Sequence, residues 1–249
     1  MRARRSTTLA RVKQLLLAWF GENARQFPWR ETRDPYAILV SEVMLQQTQT
    51  SRVVPRYVEW LARWPTVEAL AAAPVGDVIR AWQGLGYNRR AVNLHCAARI
   101  VAAEGWPADL TELPGVGAYT AGAVRAFAFG EPVLPADTNV LRVQARTGHA
   151  FDHECAQALF DLGREVCLAR RPRCDACPLA RECPSRGIRF EPARKQGPFE
   201  GSFRQRRANT LKLVAAEERR LVELDADAVH SLARDGLVRV DGGLVSLPA

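Results

Sequence analysis

At 249 residues, with 47% hydrophobic and 25% charged residues, the chain is long enough to bury its own core and has an ordinary globular composition. No apolar run reaches the roughly 18 residues that a membrane-spanning helix needs, which excludes that class. The formal charge of +8 and pI of about 9.6 favour a polyanionic partner, nucleic acid ahead of a membrane surface or an acidic protein.

The opening, MRARRSTTLARVKQLLLAWF, imitates a signal peptide. Its apolar part, Leu15 to Phe20, is too short, follows Lys13 closely and lacks a small-residue cleavage site. It predicts a first amphipathic helix and a cytosolic protein. The six cysteines are then expected to be reduced or metal-bound. ILVSEVMLQQTQ, Ile38 to Gln49, predicts a buried helix with Glu42 inside its apolar run, where Ile38, Glu42 and Leu45 share a face. VVPRYVEWLARW, Val53 to Trp64, has helical spacing. PTVEALAAAP predicts a short helix capped by Thr66 and stopped by Pro74, and Asn88 to Gly105 a longer one with Gly105 as C-cap. The fold class is all-α, with many short helices joined by tight turns.

LPGVGAYTAGAV, Leu113 to Val124, places Gly115 and Gly117 before a small-residue helix. Both glycines can take positive φ and leave N–H groups bare for an anion such as phosphate. An ordinary helix–turn–helix connection would have the same G-x-G; the basic charge and the cysteine loop favour the phosphate reading. In VLPADTNVLRV, Asp137 directly precedes a helix starting near Thr138. It is an N-cap candidate, and a helix N-terminus also favours an ionised carboxylate.

Cys167, Cys174, Cys177 and Cys183 fall within 17 residues (183 − 167 + 1) with the spacing C-x6-C-x2-C-x5-C. Four such thiolates suit a tetrahedral zinc or an iron–sulfur cluster, and the spacing leaves that choice open. Arg170, Arg171, Arg173, Arg181 and Arg186 make the loop a phosphate-contacting surface. Cys96 and Cys155 stand apart and read as small buried residues.

Residues 1–186 predict the main domain, 187–203 a polar linker, and 204–249 a small unit of helix, helix and hairpin, with Asp241 to Gly243 as the turn. That outline resembles a winged helix, which can bind DNA or simply pack on the main domain.

Taken in order, PWR (Pro28–Arg30), SEVMLQQTQ (Ser41–Gln49), GLGY (Gly84–Tyr87), LPGVGAYTAGA (Leu113–Ala123), DTNVLRV (Asp137–Val143), QALFDLG (Gln157–Gly163) and the cysteine loop resemble the helix–hairpin–helix DNA glycosylases. The resemblance is strongest to MutY-type adenine DNA glycosylases and covers about residues 10 to 185. It implies a [4Fe–4S] cluster on the four cysteines. It implies that Glu42 protonates the target adenine and later helps position water, and that Asp137 stabilises the sugar cation or its adduct. Tyr119 and Asn139 are implied beside these carboxylates, Arg30 and Gln157 in the adenine pocket, and Gln47 and Tyr87 as wedges into the duplex. Two carboxylates in different environments suit cleavage of an N-glycosidic bond, because one must donate a proton while the other stabilises an oxocarbenium ion. Burial among apolar residues helps an acid keep its proton. Glu42 and Asp137, 95 residues apart (137 − 42), are expected to face one pocket.

Relatives with lyase activity carry lysine at position 119, where this chain has tyrosine. Lysine occurs only at Lys13, Lys195 and Lys212. The expected enzyme is therefore a monofunctional, monomeric base-excision glycosylase acting on adenine opposite 8-oxoguanine or guanine in duplex DNA. A mismatch thymine glycosylase on the same scaffold is the alternative, followed by a non-catalytic DNA-binding regulator and a cluster-based redox sensor. Many relatives carry a larger C-terminal domain that reads 8-oxoguanine; residues 184–249 are too few for it, so that discrimination is expected either to rest on Gln47, Tyr87 and the tail or to be weak.

Overall fold

Local capping chemistry sets many of the helix ends. Thr66 accepts the Ala69 N–H, Asp137 the N–H groups of Asn139 and Val140, Ser202 that of Gln205, and Asp225 that of Ala228. Gly105 at φ +81° and Gly148 at φ +70° end two others in conformations that only glycine adopts freely. A computed structural model describes residues 2–188 and 197–249. Among these, the helices in chain order are α1 (Arg2–Asn23), α2 (Pro35–Leu45), α3 (Thr50–Arg63), α4 (Val67–Ala71), α5 (Val75–Ala81), α6 (Arg89–Glu104), α7 (Ala118–Phe127), α8 (Thr138–Thr147), α9 (Ala156–Asp161), α10 (Phe203–Ala216) and α11 (Ala226–Arg234). The three strands are β1 (Arg219–Arg220), β2 (Arg239–Asp241) and β3 (Leu244–Ser246).

The described residues divide into two units, 2–35 with 118–188 and 36–117 with 197–249. In the first, Val12 and Leu16 of α1 pack with Val140 and Val143 of α8, Leu159 of α9 and Leu179 in one core. Each such side chain contributes roughly 1.5–3 kcal/mol when fully buried. In the second, α2 is buried all round: Tyr36 to Met44 are nine consecutive buried residues. The shared-face argument for Ile38, Glu42 and Leu45 therefore understates the burial of this helix. The Tyr36 hydroxyl donates to the Trp64 carbonyl at 2.9 Å and accepts from the Trp60 indole at 3.2 Å. Trp60 meets Trp64 and Trp82 edge-on.

Three local expectations need correction. The helix predicted over Ile38–Gln49 stops at Leu45, because the chain turns through Gln47 at φ +55°. Gly115 takes φ +78°, but Gly117 is not among the positive-φ glycines. Strand β1 was not foreseen: two arginines carry no alternation, and β1 exists only by pairing with β3 in the order β1-β3-β2.

The tail has the expected helix, helix and hairpin, with Gly242 at φ +52° and Gly243 at φ +81° making the turn. Of the expected linker 187–203, residues 189–196 lie outside the described residues. Residues 197–249 share a core with the second unit, although the sequence suggested a separate one. Ile79 of α5 packs with Leu211, Val214, Val229, Leu232, Leu237 and Val245. A Cβ on Gly76 would lie 2.7 Å from the Pro248 carbonyl, so glycine permits the final segment to lie against α5. Arg206 pairs with Asp225 and Arg207 with Asp235. The tail's eight basic residues are balanced by eight acidic ones.

The charge is divided unequally. Over 1–35 and 118–195 the sequence has twenty basic and twelve acidic residues, a net of +8; the rest has fifteen of each. Most of the positive balance therefore lies in the described unit that carries the cysteine loop, which has seventeen basic and eleven acidic residues over 2–35 and 118–188, a net of +6.

Candidate active site

In the unit of residues 36–117 and 197–249, Glu42 lies in the middle of α2 at 6% exposure. Two turns follow in sequence from the buried helices. Gln46–Thr48 leaves α2 through Gln47 at φ +55°, and Gly84–Tyr87 enters α6 through Gly84, Gly86 and Tyr87, the last at φ +48°. Gln47 and Tyr87 are the two positive-φ residues other than glycine among the described residues. This conformation costs a non-glycine residue roughly 1–2 kcal/mol, so it marks places where a side chain is retained despite strain. Gly115 also belongs to this unit, and its absent Cβ makes room for Asn93, whose own Cβ would otherwise be 2.8 Å away.

In the other unit, the Asp137 carboxylate is held by three donors. Oδ1 accepts from the Asn139 N–H at 2.8 Å and the Val140 N–H at 2.7 Å, and Oδ2 from the Asn139 amide at 2.6 Å. Asn139 Oδ1 in turn accepts from Arg142 at 2.7 Å. Arg142 also donates to the Gly163 carbonyl at 2.7 Å and the Cys167 carbonyl at 2.8 Å. Asp137 is thus tied through α8 to the chain entering the cysteine loop. Tyr119, half-buried on α7, meets the edge of Phe160 with ring centres 6.4 Å apart. Arg30 forks onto Asp161 at 2.8 and 2.9 Å. Gln157 and Asp161 stand four residues apart on α9, so the fork brings Arg30 to the α9 face that carries Gln157.

Gly163 explains the end of the QALFDLG stretch. A Cβ there would stand 2.7 Å from Asn139 Cβ and 3.3 Å from its backbone. Gly163→Ala is expected to push Asn139 off Asp137, costing about 1–3 kcal/mol of stability. It should lower activity beyond any loss of folded protein; unchanged activity per folded molecule would contradict this.

The four cysteines line a single cavity with Val143, Arg146 and Leu162. α9 passes into a π turn, Leu162–Val166, that delivers Cys167 to it. Burial pushes the Cys177 thiol up to about 11 and raises Cys183 as well. Two donors face the sulfurs: the buried Arg146 guanidinium 3.4 Å from Cys167 Sγ, and the Gly187 N–H 3.3 Å from Cys174 Sγ. Arg146 also grips the loop backbone at Leu168 and Ala169, at 2.7 and 2.6 Å. Among the described residues, no three of His, Cys, Asp and Glu are placed to hold one metal ion. Arg142, Arg146 and Gly163 were not singled out for these contacts by the sequence. Their only trace there was a position beside a quoted motif or within one.

Comparison with known proteins places this geometry. Residues 40–161 match the HhH-GPD superfamily base excision DNA repair protein family. The adenine DNA glycosylase of Mycobacterium tuberculosis is 39% identical over an alignment of 281 positions including gaps, covering 94% of this chain and 92% of that protein. The human adenine DNA glycosylase is 36% identical over 210 residues, covering 69% of this chain and 38% of that protein. Among solved structures, a thermostable thymine-DNA glycosylase superposes with a TM-score of 0.65 at 26% identity, covering 72% of this chain and 97% of that one. A trapped endonuclease III–DNA covalent intermediate superposes at 0.60 and 23% identity, covering 74% and 96%, and shares the fold. The chain belongs to the HhH-GPD superfamily of base excision DNA repair proteins. Within that class it is a DNA glycosylase, a hydrolase. No helix among the described residues is long and apolar enough to cross a membrane.

Proposed function

We propose that the enzyme hydrolyses the N-glycosidic bond of adenine mispaired with 8-oxoguanine or guanine in duplex DNA. The observation that carries this reading is Glu42: an acid at 6% exposure in an all-buried helix, suited to hold a proton and hand it to a base. Support for adenine comes from the 39% identity to an adenine DNA glycosylase across nearly the whole chain. The thymine-DNA glycosylase likeness, at 26% identity over 72% of the chain, favours the alternative less.

The mispaired base first leaves the stack, which costs a few kcal/mol and less from a mispair than from a matched pair. Glu42 donates its proton to N7 of the flipped adenine. The C1′–N9 bond breaks with its electron pair leaving on the base, and the sugar becomes an oxocarbenium ion. Asp137, aimed by Asn139 and the start of α8, stabilises that positive charge. Water adds to C1′ and its proton passes to the Glu42 carboxylate, which restores the acid and leaves an abasic site. Tyr119 occupies the position where a lysine would form a Schiff base, so strand cleavage by that route is not expected. Arg30 and Gln157 line the adenine pocket, while Gln47 and Tyr87 enter the duplex beside the flipped base. Gly115 and Gly117 contact the phosphate backbone.

Cys167, Cys174, Cys177 and Cys183 would hold a [4Fe–4S] cluster. The shared cavity and the N–H donors at two sulfurs suit four thiolates around a metal centre, and the likeness to the adenine DNA glycosylases supports the cluster over zinc. When bound, it staples the arginine-rich loop as a rigid phosphate-contacting surface on the unit that carries most of the net charge.

A panel of A:8-oxoguanine, A:G, A:C and T:G duplexes, each incubated with enzyme and then treated with alkali, tests the reading. Breaks are expected at adenine in the first two. Breaks at thymine in T:G alone would establish the alternative.

A further inference from the structure

The Arg90 side chain, at the start of α6, is 8% exposed and sits between the two turns that carry Gln47 and Tyr87. Its Nη1 donates to the carbonyls of Val43 at 2.7 Å, Met44 at 2.9 Å and Gln46 at 2.7 Å. These are orphan acceptors at the C-terminal end of α2, where a cation is favourable. Its Nη2 donates to the Gly86 carbonyl at 2.9 Å, the Leu85 carbonyl at 3.3 Å and Thr48 Oγ1 at 3.0 Å. Nε reaches the Tyr87 carbonyl at 3.4 Å. The Thr48 hydroxyl also reaches the Leu85 carbonyl at 3.3 Å, a second bridge between the turns. The guanidinium lies 5.2 Å from the Trp82 ring centre and 5.7 Å from that of Tyr87.

These seven acceptors are carbonyl and hydroxyl oxygens supplied by the end of α2 and by both turns. Burial pulls the Arg90 pKa down to about 10, so the group stays charged at neutral pH. Only a planar fork with several fixed donors can satisfy both turns at once; an ammonium group is a point donor. The bonds also fall on the carbonyls flanking the two strained residues, which holds them at positive φ.

We propose that Arg90 is a positioning residue for mispair recognition. It locks the Gln47 and Tyr87 turns together, so that both side chains are set before DNA arrives. This rests on the reading of Gln47 and Tyr87 as duplex wedges. Preorganisation of this kind improves affinity for the site that uses the wedges and adds little to general backbone contact.

The test is the ratio of affinities for a mispaired and a fully paired duplex of the same length. The mispair carries 2′-fluoro-2′-deoxyadenosine opposite 8-oxoguanine, since the fluorine destabilises the sugar cation and blocks cleavage. Arg90→Lys is expected to lower the ratio tenfold or more, and the milder Thr48→Val about threefold. Loss of folded protein alone would weaken both duplexes equally and leave the ratio unchanged. If Arg90→Lys does not fold, Thr48→Val decides. An unchanged ratio in these variants, while Gln47→Ala and Tyr87→Ala lower it, overturns the inference alone. An unchanged ratio in Gln47→Ala and Tyr87→Ala overturns the wedge reading and the inference with it.

Discussion

Glu42→Gln is expected to abolish base release while leaving duplex binding within about twofold of wild type. Glutamine matches glutamate in volume, so the all-buried α2 keeps its packing, and an amide has no acidic proton to give adenine N7. Positioned general acids contribute about 10²–10⁴-fold, roughly 3–5 kcal/mol of barrier. A leaving group as poor as unprotonated adenine puts the loss at the upper end. A purely structural glutamate would give the reverse pattern, an altered melting temperature with an unaltered rate. Single-turnover cleavage and a thermal melt on the same preparation separate the two.

Asp137→Asn should slow base release by about 10²–10³-fold, the range for removing one preorganised electrostatic contact to a developing charge. Stability should fall far less than activity: the bonds to Oδ1 survive, and only the Asn139 amide loses its acceptor at Oδ2, about 1 kcal/mol. Asparagine caps a helix about as well as aspartate, so the acceptor for the Asn139 and Val140 N–H groups survives. The lost charge at the α8 N-terminus costs about 0.3–1 kcal/mol. Asp137→Ala would remove the cap as well and cost about 1 kcal/mol more. A rate loss that tracked stability across the two variants would reduce Asp137 to a cap. A rate loss common to both, with only alanine unstable, assigns the carboxylate to the chemistry.

Features written within a few residues of themselves were legible in the sequence. The Thr66 and Asp137 caps, Gly105 and the glycine turn of the tail appear where local rules put them. The burial of Glu42 followed from its apolar run. Features whose partners are distant were not legible. Arg90 reads as one of two arginines at a helix start, and its acceptors on α2 lie up to 47 positions away. Arg142 and Arg146 find their acceptors in the π turn after α9 and in the cysteine loop, 21 to 25 positions on. Gly163 stood in a quoted motif without a reason, because the atom that forbids a side chain belongs to Asn139. The tail's place was hidden for the same cause: its apolar stripe is local, and Ile79, which it covers, lies more than a hundred residues earlier.

The most direct measurement is the identity of the product released from an A:8-oxoguanine duplex in a single turnover, with borohydride present in a parallel sample. The expected result is free adenine and an abasic strand that breaks only on alkali treatment, no borohydride-trapped protein–DNA adduct, and no adenine from Glu42→Gln. Adenine release at the wild-type rate by Glu42→Gln, or a trapped lysine adduct, would contradict the assignment of Glu42 and Asp137 as the groups that break the bond.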